Sequence, residues 1–338
     1  MDNQPLVSIV TTFYNSVKLG DFVHRAMDCL LNQTYKNIEF VCVNDGSQDE
    51  TLVQLKAYAD KDSRIIIVDK ENEGVAQYAK AAGQNVAKGD WVMLFDHDDL
   101  ISYDGIELAV KTAQAHPELD AVTFMQEVLY ADGTIRSYYN LDVVSKEKLS
   151  YEFRKLSGEE VFQKTVGRYA VHFRGIIKAD KFKTVSFRYP EKLVNGDEIV
   201  ERFIFKNVDF MGSCPAIYKH FIYTNSSAKS YSLKKIDIVR TDVILRELFK
   251  KEGVYKARKD IFEFAAFKTL IDGVKIYQHL KISTDEESKQ KYLHFLKEGY
   301  AQLDRKSILN QLNGVQKIYN SLILSDFSLM MNFYKFKK

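Results

Sequence analysis

The chain has 338 residues, of which 46% are hydrophobic, 28% are charged and four are proline, a composition typical of a folded protein with a buried core. Its formal net charge of +2 gives no global reason to expect a nucleic-acid partner. Its three cysteines show neither metal-ligand spacing nor a disulfide framework. We find no signal peptide and no run of the roughly 20 apolar residues that span a membrane. The sequence therefore predicts a cytoplasmic protein, in contact at most with the inner face of the membrane.

Strand-like and helix-like segments alternate through the first 124 residues. Strands are predicted at 7–11, 39–43, 64–68 and 91–95. The capping-box pattern at 47–50 predicts the start of a helix. Helical faces after the first three strands are Phe22, Val23, Ala26, Met27 and Leu30, then Leu52, Leu55 and Ala59, then Val75, Ala79, Ala82 and Val86. This alternation predicts a doubly wound, mostly parallel sheet with flanking helices.

The pattern changes after residue 124. A strand at 120–124 is followed by a predicted hairpin between 126–130 and 135–139, with the turn at 131–134. Beyond about residue 234 the chain reads as helical. The helical faces there are Ile236, Val239 and Val243, then Phe264, Phe267, Ile271 and Val274. We therefore expect an α/β domain followed by a C-terminal helical extension.

Polar clusters follow three of the predicted strands, at 11–15, 44–47 and 96–99. Because ligands of doubly wound sheets bind outside the carboxyl ends of the strands, we expect all three clusters to face one crevice. Asp45, in the second cluster, is either part of a structural Asp-Gly turn or a nucleotide contact.

The third cluster, Asp96-His97-Asp98-Asp99, is the most informative. Its three carboxylates repel one another, and a divalent cation relieves that repulsion. Oxygen ligands suit Mn²⁺ or Mg²⁺, which keep positions open for water and substrate phosphates. The alternative is an acidic loop that caps the next helix through Asp99 or Ser102. His97 is interpreted as a loop residue rather than a metal ligand.

Four motifs in the first half resemble those of the family 2 glycosyltransferases, inverting enzymes that have the GT-A fold. They are Thr-Phe-Tyr-Asn at 12–15, Asn-Asp-Gly-Ser-Gln-Asp at 44–49, Asn-Glu-Gly at 72–74 followed by 79–83, and the segment 89–99. Lys80 and Ala81 stand where the family usually has Arg and Asn. The order and spacing of the four motifs carry the resemblance, since each alone is a weak signal.

The resemblance implies a role for each matching residue. Thr12, Tyr14 and Asp45 line the nucleoside of the donor, with Asp45 reading the base. Asp96 and Asp98 form the DxD pair that lies near the ribose and holds the metal. Lys80 meets a phosphate of the donor as a point charge.

The second half matches the family more loosely. Residues 172–178 followed by 187–190 resemble the acceptor-side segment, which usually leads into Gly-Glu-Asp with the Asp as catalytic base. Here the chain reads Gly-Asp-Glu at 196–198, so either Asp197 or Glu198 is the implied base. The alternative is a solvated helix start, in which both acids favour the helix dipole.

The expected function is transfer of a sugar, with inversion, from a UDP-sugar or other nucleotide-sugar to a glycan or lipid-linked acceptor in bacterial surface polysaccharide or lipopolysaccharide synthesis. A nucleotidyltransferase on a related fold is one alternative, although 11–15 lacks the expected glycine-rich loop. A catalytically inactive sugar-binding or scaffold homologue is another. A dinucleotide-binding dehydrogenase is disfavoured because no G-x-G-x-x-G follows the first strand.

We predict a GT-A catalytic domain over 1–232, with a donor half at 1–125 and an acceptor half at 126–232, and a helical region over 233–338. Basic residues of 223–232, such as Lys229, are placed to close over the diphosphate. The chain ends in aromatics interleaved with lysines at 329–338. That pattern suits shallow binding to an anionic membrane surface, or packing on the catalytic domain or a second subunit.

Overall fold

The computed structural model describes residues 4–139, 153–168, 171–188, 191–223, 232–281 and 284–334. The chain divides into two compact units. The first unit comprises Met1–Phe162, Val171–Pro190 and Val200–Ala228. The second comprises Gln163–Ala170, Glu191–Ile199 and Lys229–Lys338.

Strands and helices alternate along the first part of the chain. In order they are β1 (Val7–Phe13), α1 (Ser16–Gly20), α2 (Phe22–Leu31), β2 (Ile38–Asp45), α3 (Thr51–Ala59), β3 (Ile65–Lys70), α4 (Ala76–Val86), β4 (Trp91–Asp96), β5 (Leu100–Ile101), α5 (Gly105–Ala115), β6 (Ala121–Tyr130) and β7 (Ile135–Tyr139). The predicted alternation of strand and helix is confirmed over this region.

Helices predominate in the rest of the chain. The elements are β8 (Lys155–Ser157), α6 (Gly158–Thr165), β9 (Gly175–Lys178), α7 (Ala179–Lys183), α8 (Asp197–Asn207), β10 (Phe210–Ile222), α9 (Asp237–Lys251), α10 (Lys259–Leu280), α11 (Glu286–Ala301), α12 (Arg305–Asn310), α13 (Gly314–Ser325) and α14 (Phe327–Phe333), with 3-10 turns at Leu233–Ile236 and Lys256–Arg258. The predicted helical C-terminal region is present. No helix in the described ranges combines the length and apolar composition that a membrane crossing needs.

The ten strands that the structure describes form one mixed sheet in the order β3-β2-β1-β4-β9-β6-β10-β5, with β7 on β6 and β8 on β10. The first four strands of that order are parallel to one another. Strand β9 is antiparallel to both β4 and β6, whereas β6 and β10 are parallel. The parallel part therefore brings the carboxyl ends of four strands to one edge, as predicted.

The buried strands are apolar runs of sequence. Helices α2 and α4 pack their apolar faces against them. Every residue of β2 is buried, as expected for a strand covered on both faces. The predicted face of α2 is confirmed for Val23, Ala26, Met27 and Leu30, which are buried, whereas Phe22 is half-buried. On α4 the prediction is partly wrong. Ala82 and Val86 are only half-buried, and Gly83 faces the sheet so closely that a Cβ there would lie 2.3 Å from Val10 Cγ1.

Three other local predictions need correction. Residues 47–50 form no capping box, because α3 begins at Thr51 and Ser47 Oγ accepts from the Asn15 backbone N–H instead. Segments 120–124 and 126–130 belong to one continuous strand, β6, which pairs with β7 in the predicted hairpin. On α10 the predicted face is right for Phe267 and Val274, which are buried, whereas Phe264 and Ile271 are half-buried.

The second unit is mainly helical and contains a buried ion pair. Arg246 and Glu263 are 2% and 0% exposed and meet at 2.8 Å. Glu263 also accepts hydrogen bonds from Tyr255 Oη at 2.6 Å and from the Asp304 backbone N–H at 2.8 Å. Burial raises the pKa of the neighbouring Asp242 to about 8. The polar centre of these helices is therefore paired rather than solvated. The predicted functional boundary at 232 stays a prediction.

Candidate functional site

The strand ends of the parallel sheet bring together side chains predicted for the donor site. Thr12 lies beside Asp96 in the register of β1 and β4, and Asp45, the last residue of β2, lies beside Lys70 of β3. Tyr14 follows β1 and is 44% exposed. Parallel strands end on the same side of a sheet, so these residues share one edge.

Asp45 is held in place by two donors from the end of β3 and the loop after it. Lys70 Nζ lies 2.8 Å from Asp45 Oδ1, and Asn72 Nδ2 lies 3.1 Å from Asp45 Oδ2. Gly46 has a φ of +66°, and a Cβ there would lie 2.6 Å from the Asn72 backbone nitrogen. The Asp-Gly pair is therefore required for the turn and also brings Asn72 against the carboxylate.

A second ion pair extends from Lys70. Its Nζ is 3.2 Å from Glu73 Oε1, and Glu73 receives Arg188 through two hydrogen bonds of 2.9 and 3.0 Å. The Arg188 and Lys70 cations lower the pKa of Glu73 to about 2. Arg188 also lies over the Tyr78 ring, 4.6 Å from its centroid. Negative and positive side chains therefore alternate along Asp45, Lys70, Glu73 and Arg188. These ion pairs connect the ends of β2 and β3 to Arg188.

Asp96, at the end of β4, lies between two cations. Lys80 Nζ is 3.0 Å from Asp96 Oδ1, and Arg174 Nη2 is 3.1 Å from Asp96 Oδ2. Burial opposes ionisation of Asp96, but Lys80 and Arg174 outweigh it and hold the pKa far below its usual range. Within the protein itself, Lys80 and Arg174 therefore offset the negative charge of Asp96.

Asp99 points into the protein and has a structural role. It is fully buried and accepts from Tyr218 Oη at 2.7 Å, His220 Nδ1 at 3.0 Å and the Phe221 backbone N–H at 3.1 Å. The capping alternative is also wrong, because α5 begins at Gly105 and neither Asp99 nor Ser102 occupies its N-cap position.

Asp98 differs from its two acidic neighbours. In the described part of the chain its carboxylate makes no side-chain hydrogen bond or ion pair with another residue. Burial raises its pKa, and Asp99 and Asp96 raise it further. An uncompensated carboxylate of this kind fits a divalent cation. No three His, Cys, Asp or Glu side chains within the described ranges lie together in a way that could hold a metal ion.

Aromatic residues surround the same loop. His97 Nδ1 lies 2.9 Å from the Thr12 carbonyl oxygen, and its ring packs against Phe13 and Phe22. His97 therefore links the ends of β1 and β4, in agreement with its interpretation as a loop residue. Tyr223 Oη lies 3.5 Å from the Asp98 carbonyl oxygen and is hydrogen-bonded to Arg25.

The sequence interpretation assigned no role to Arg174 and Glu201, which extend the acidic cluster. Arg174 Nη1 is 3.5 Å from Glu201 Oε1, and Glu201 Oε2 is 3.0 Å from His172 Nδ1. Glu201 lies on α8, one turn beyond the predicted base. The sequence signal for Arg174 is the segment 172–178, which resembles the family but does not indicate which side chains Arg174 contacts. Lys70 and Arg188 were missed in the same way.

The two predicted base residues lie in the second unit. Asp197 and Glu198 occupy the first turn of α8, where Asp197 is half-buried and Glu198 is 5% exposed. The donor residues Thr12, Tyr14, Asp45, Lys80, Asp96 and Asp98 all lie in the first unit. Three parts of the predictions lie outside the described residues. They are Lys229, residues 189–190 of the segment 187–190, and residues 335–338 at the end of the chain.

A family model described as glycosyl transferase family 2 matches residues 8–180, half of the chain. The chain belongs to this family. The matched range covers β1 to β4, the acidic cluster and the Arg174 segment.

Similar proteins include a glycosyltransferase and two synthases. Glycosyltransferase GlyG of Streptococcus pneumoniae is 34% identical over 137 residues, which are 40% of each chain. Hyaluronan synthase of Pasteurella multocida is 27% identical over 334 residues, covering 94% of this chain and 30% of the synthase. Chondroitin synthase of the same species is 27% identical over 277 residues, covering 77% of this chain and 27% of the synthase. This chain thus spans less than half the length of these relatives.

Solved structures share the fold. Staphylococcus aureus TarS, residues 1–349, superposes with a TM-score of 0.63 at 13% identity, covering 98% of this chain and 89% of that one. Mannosyltransferase PcManGT of Pyrobaculum calidifontis, solved with GDP-Man and Mn²⁺, gives 0.52 at 14% identity and covers 100% and 89%. The fold is therefore GT-A, with a helical C-terminal region, as predicted.

Proposed function

We propose that this family 2 protein is an inverting glycosyltransferase that moves a sugar from a nucleotide-sugar to a hydroxyl of a glycan or lipid-linked acceptor during surface polysaccharide or lipopolysaccharide synthesis. The observation that carries the proposal is the alignment of Thr12, Asp45 and Asp96 along one edge of the parallel strands. Support also comes from the structural relatives, since TarS was solved with UDP-GlcNAc and PcManGT with GDP-Man.

The donor binds along this edge. Tyr14, Thr12 and Asp45 contact the nucleoside, and Asp96 lies near the ribose. Lys80 Nζ, 3.0 Å from Asp96, is close enough to this carboxylate to exchange it for a donor phosphate. Such an exchange keeps the ammonium paired with an anion throughout binding.

Asp98, with help from Asp96, would hold Mn²⁺ or Mg²⁺. Asp98 supports this role because its carboxylate has no hydrogen-bond or ion-pair partner on another described residue and burial raises its pKa. When bound, a divalent ion offsets the negative charge that grows on the leaving diphosphate. Asp96, already paired with two cations, contributes less to holding the ion.

The chain supplies the base for the displacement. Asp197 or Glu198 accepts the proton of the acceptor hydroxyl, whose oxygen forms a bond to the anomeric carbon. The bond from that carbon to the diphosphate oxygen breaks on the opposite face, so the configuration inverts. Comparing Asp197→Asn with Glu198→Gln identifies the base, because only the variant that lacks it loses turnover while still binding donor.

Hydrolysis of a nucleotide-sugar panel with Mn²⁺ tests the reaction class. We expect wild type to release a nucleoside diphosphate, Asp98→Asn to lose this release, and the matched exposed-site control Asp60→Asn to keep it. Release of pyrophosphate from a nucleoside triphosphate and a sugar phosphate would instead indicate a nucleotidyltransferase. Donor binding without any turnover, by contrast, would identify an inactive homologue. Full activity of Asp98→Asn, or of wild type in excess chelator, would refute the metal role.

We also propose that 1–232 forms the catalytic domain and that the C-terminal helices contact the membrane. On α13, Val315, Ile318 and Leu322 form an exposed apolar stripe, being 82%, 69% and 64% exposed. Residues 305–325 contain three basic residues and no acidic ones. An exposed apolar stripe in a segment of positive net charge fits an anionic lipid surface.

Flotation with anionic liposomes tests this contact. We expect the triple variant Val315→Ser, Ile318→Ser, Leu322→Ser to lose flotation. A control triple at comparably exposed sites, Leu19→Ser, Val53→Ser, Ile135→Ser, should keep it. If neither wild type nor the control floats, and the α13 variant instead changes a dimer into a monomer, the stripe is a subunit interface.

A further inference from the structure

A short loop precedes the acidic pair at the start of α8. Residues 191–196 form neither helix nor strand, and Asp197 is the first residue of α8. The loop turns directly into the helix, because the Glu198 backbone N–H donates to the Asn195 carbonyl oxygen at 3.2 Å. A displacement of this loop would therefore also displace the carboxylates that follow it.

Two side chains in the first turn of α9 hold the loop, and all of these residues belong to the second unit. The Val194 backbone N–H donates to Asp237 Oδ2 at 3.0 Å. Arg240 donates through Nε to Glu191 Oε2 at 2.8 Å and through Nη2 to Glu191 Oε1 at 2.5 Å. A guanidinium that binds a carboxylate through two N–H groups fixes its orientation as well as its position.

The Arg240 guanidinium lies between two carboxylates. It is 21% exposed, and its partner Glu191 is 35% exposed. Its Nη1 also lies 2.6 Å from Oε1 of Glu298, which is on α11 and is 27% exposed. The Glu191 contact reaches the loop before α8, whereas the Glu298 contact links α9 to α11. The two carboxylates therefore form a matched pair, of which one member holds the loop.

We propose that Arg240, acting through Glu191, is a positioning residue that holds the acidic pair Asp197 and Glu198 for proton transfer from the acceptor. This inference rests on the proposed function, since it assumes that one member of the pair is the base. A base has to lie within hydrogen-bond reach of the proton that it accepts, and a misplacement of about 1 Å costs on the order of a hundredfold in rate. Loss of the Arg240–Glu191 contact should therefore lower turnover and leave donor affinity unchanged.

Matched variants at the two partners of Arg240 test the proposal. Glu191→Met and Glu298→Met each leave Arg240 with one carboxylate, but only Glu191→Met releases the loop. With Mn²⁺ and the nucleotide-sugar that wild type hydrolyses fastest, Glu191→Met should lower the release of nucleoside diphosphate by about tenfold or more, and Arg240→Met should do the same. Glu298→Met should stay within about twofold of wild type, because exposed ion pairs contribute little. Calorimetric titration with the same nucleoside diphosphate and Mn²⁺ should give an unchanged affinity for all three variants.

Variants that lack the base separate positioning from structural damage. Residues that act as a unit have non-additive effects, so Glu191→Met should cause no further loss in Asp197→Asn or Glu198→Gln, whichever lacks the base. Full turnover of Glu191→Met, equal losses in Glu191→Met and Glu298→Met, or the same loss with and without the base would overturn the inference while leaving the proposed function intact. If neither Asp197→Asn nor Glu198→Gln loses turnover, the proposed base is wrong and the inference fails with it.

Discussion

Arg174→Met tests whether the cations around Asp96 stabilise the first unit. The Arg174 side chain is 11% exposed and connects Asp96 with Glu201, at 3.1 and 3.5 Å. Removing one partner of a buried ion pair costs about 3–5 kcal/mol when it leaves the other charge uncompensated. Here Asp96 keeps Lys80, and Glu201 keeps His172. We therefore expect a smaller loss in the free energy of unfolding at pH 7, about 2–3 kcal/mol.

The pH dependence of this loss follows from the pKa of Asp96, which the cations lower in the folded state. A lowered pKa stabilises the fold above the unfolded value of about 3.9, and this contribution disappears as the pH falls through the folded value. Arg174→Met raises the folded pKa of Asp96 above that of wild type, so the difference in stability should be full at pH 7 and should shrink as the pH falls through the variant's folded pKa.

Urea unfolding followed by the fluorescence of Trp91 measures the effect, since the chain has one tryptophan and it lies in β4. The control Arg188→Met removes a half-exposed arginine that pairs with Glu73 and should cost less than about 1 kcal/mol. If the Arg174→Met loss stays constant over the whole acid range in which both proteins fold, lost packing, not charge, is responsible. A loss equal to that of Arg188→Met would refute the argument entirely.

Two further predictions concern other parts of the chain. Gly46→Ala should destabilise the first unit by more than Gly133→Ala, because both positions have positive φ but only at Gly46 would the added Cβ meet backbone, at 2.6 Å. By urea unfolding we expect losses of about 1 kcal/mol for Gly133→Ala and about 2–3 kcal/mol for Gly46→Ala. Equal losses would contradict the role of this contact. Burial raises the pKa of Asp242 to about 8, so wild type should lose stability as the pH rises from about 4 to about 8, whereas Asp242→Asn lacks this titration. Thermal unfolding at pH 5 and pH 8 should show that the variant becomes more stable relative to wild type at the higher pH. Parallel pH profiles would contradict the assignment.

The donor half of the fold was predictable because its signals are local. Each buried parallel strand is a short apolar run, and the polar residues that follow it must lie at the carboxyl edge of the sheet. Thr12, Asp45 and Asp96 could therefore be placed along one edge without any knowledge of side-chain contacts. The capping box failed because Ser47 has a competing backbone partner, Asn15, which lies 32 residues earlier in the chain.

The electrostatics of the site could not be predicted, because the partners are distant in sequence. Arg174 is 78 residues from Asp96 and Tyr218 is 119 residues from Asp99. Spacing alone made the carboxylates of 96–99 look equivalent, whereas the fold pairs Asp96 with cations, buries Asp99 among donors and leaves Asp98 uncompensated. The roles of Asp197 and Glu198 stay predictions.

The Arg246–Glu263 pair restricts how the second unit can evolve. Glu263 binds Arg246, Tyr255 and the backbone of Asp304 at once. Replacing Arg246 or Glu263 alone by an apolar residue therefore leaves the other charge buried and unpaired, at a cost of about 3–5 kcal/mol in stability. Replacement by apolar residues is tolerable only when both positions change together. The two positions should therefore be inherited as a unit, and lineages that have lost one charge should have lost the other.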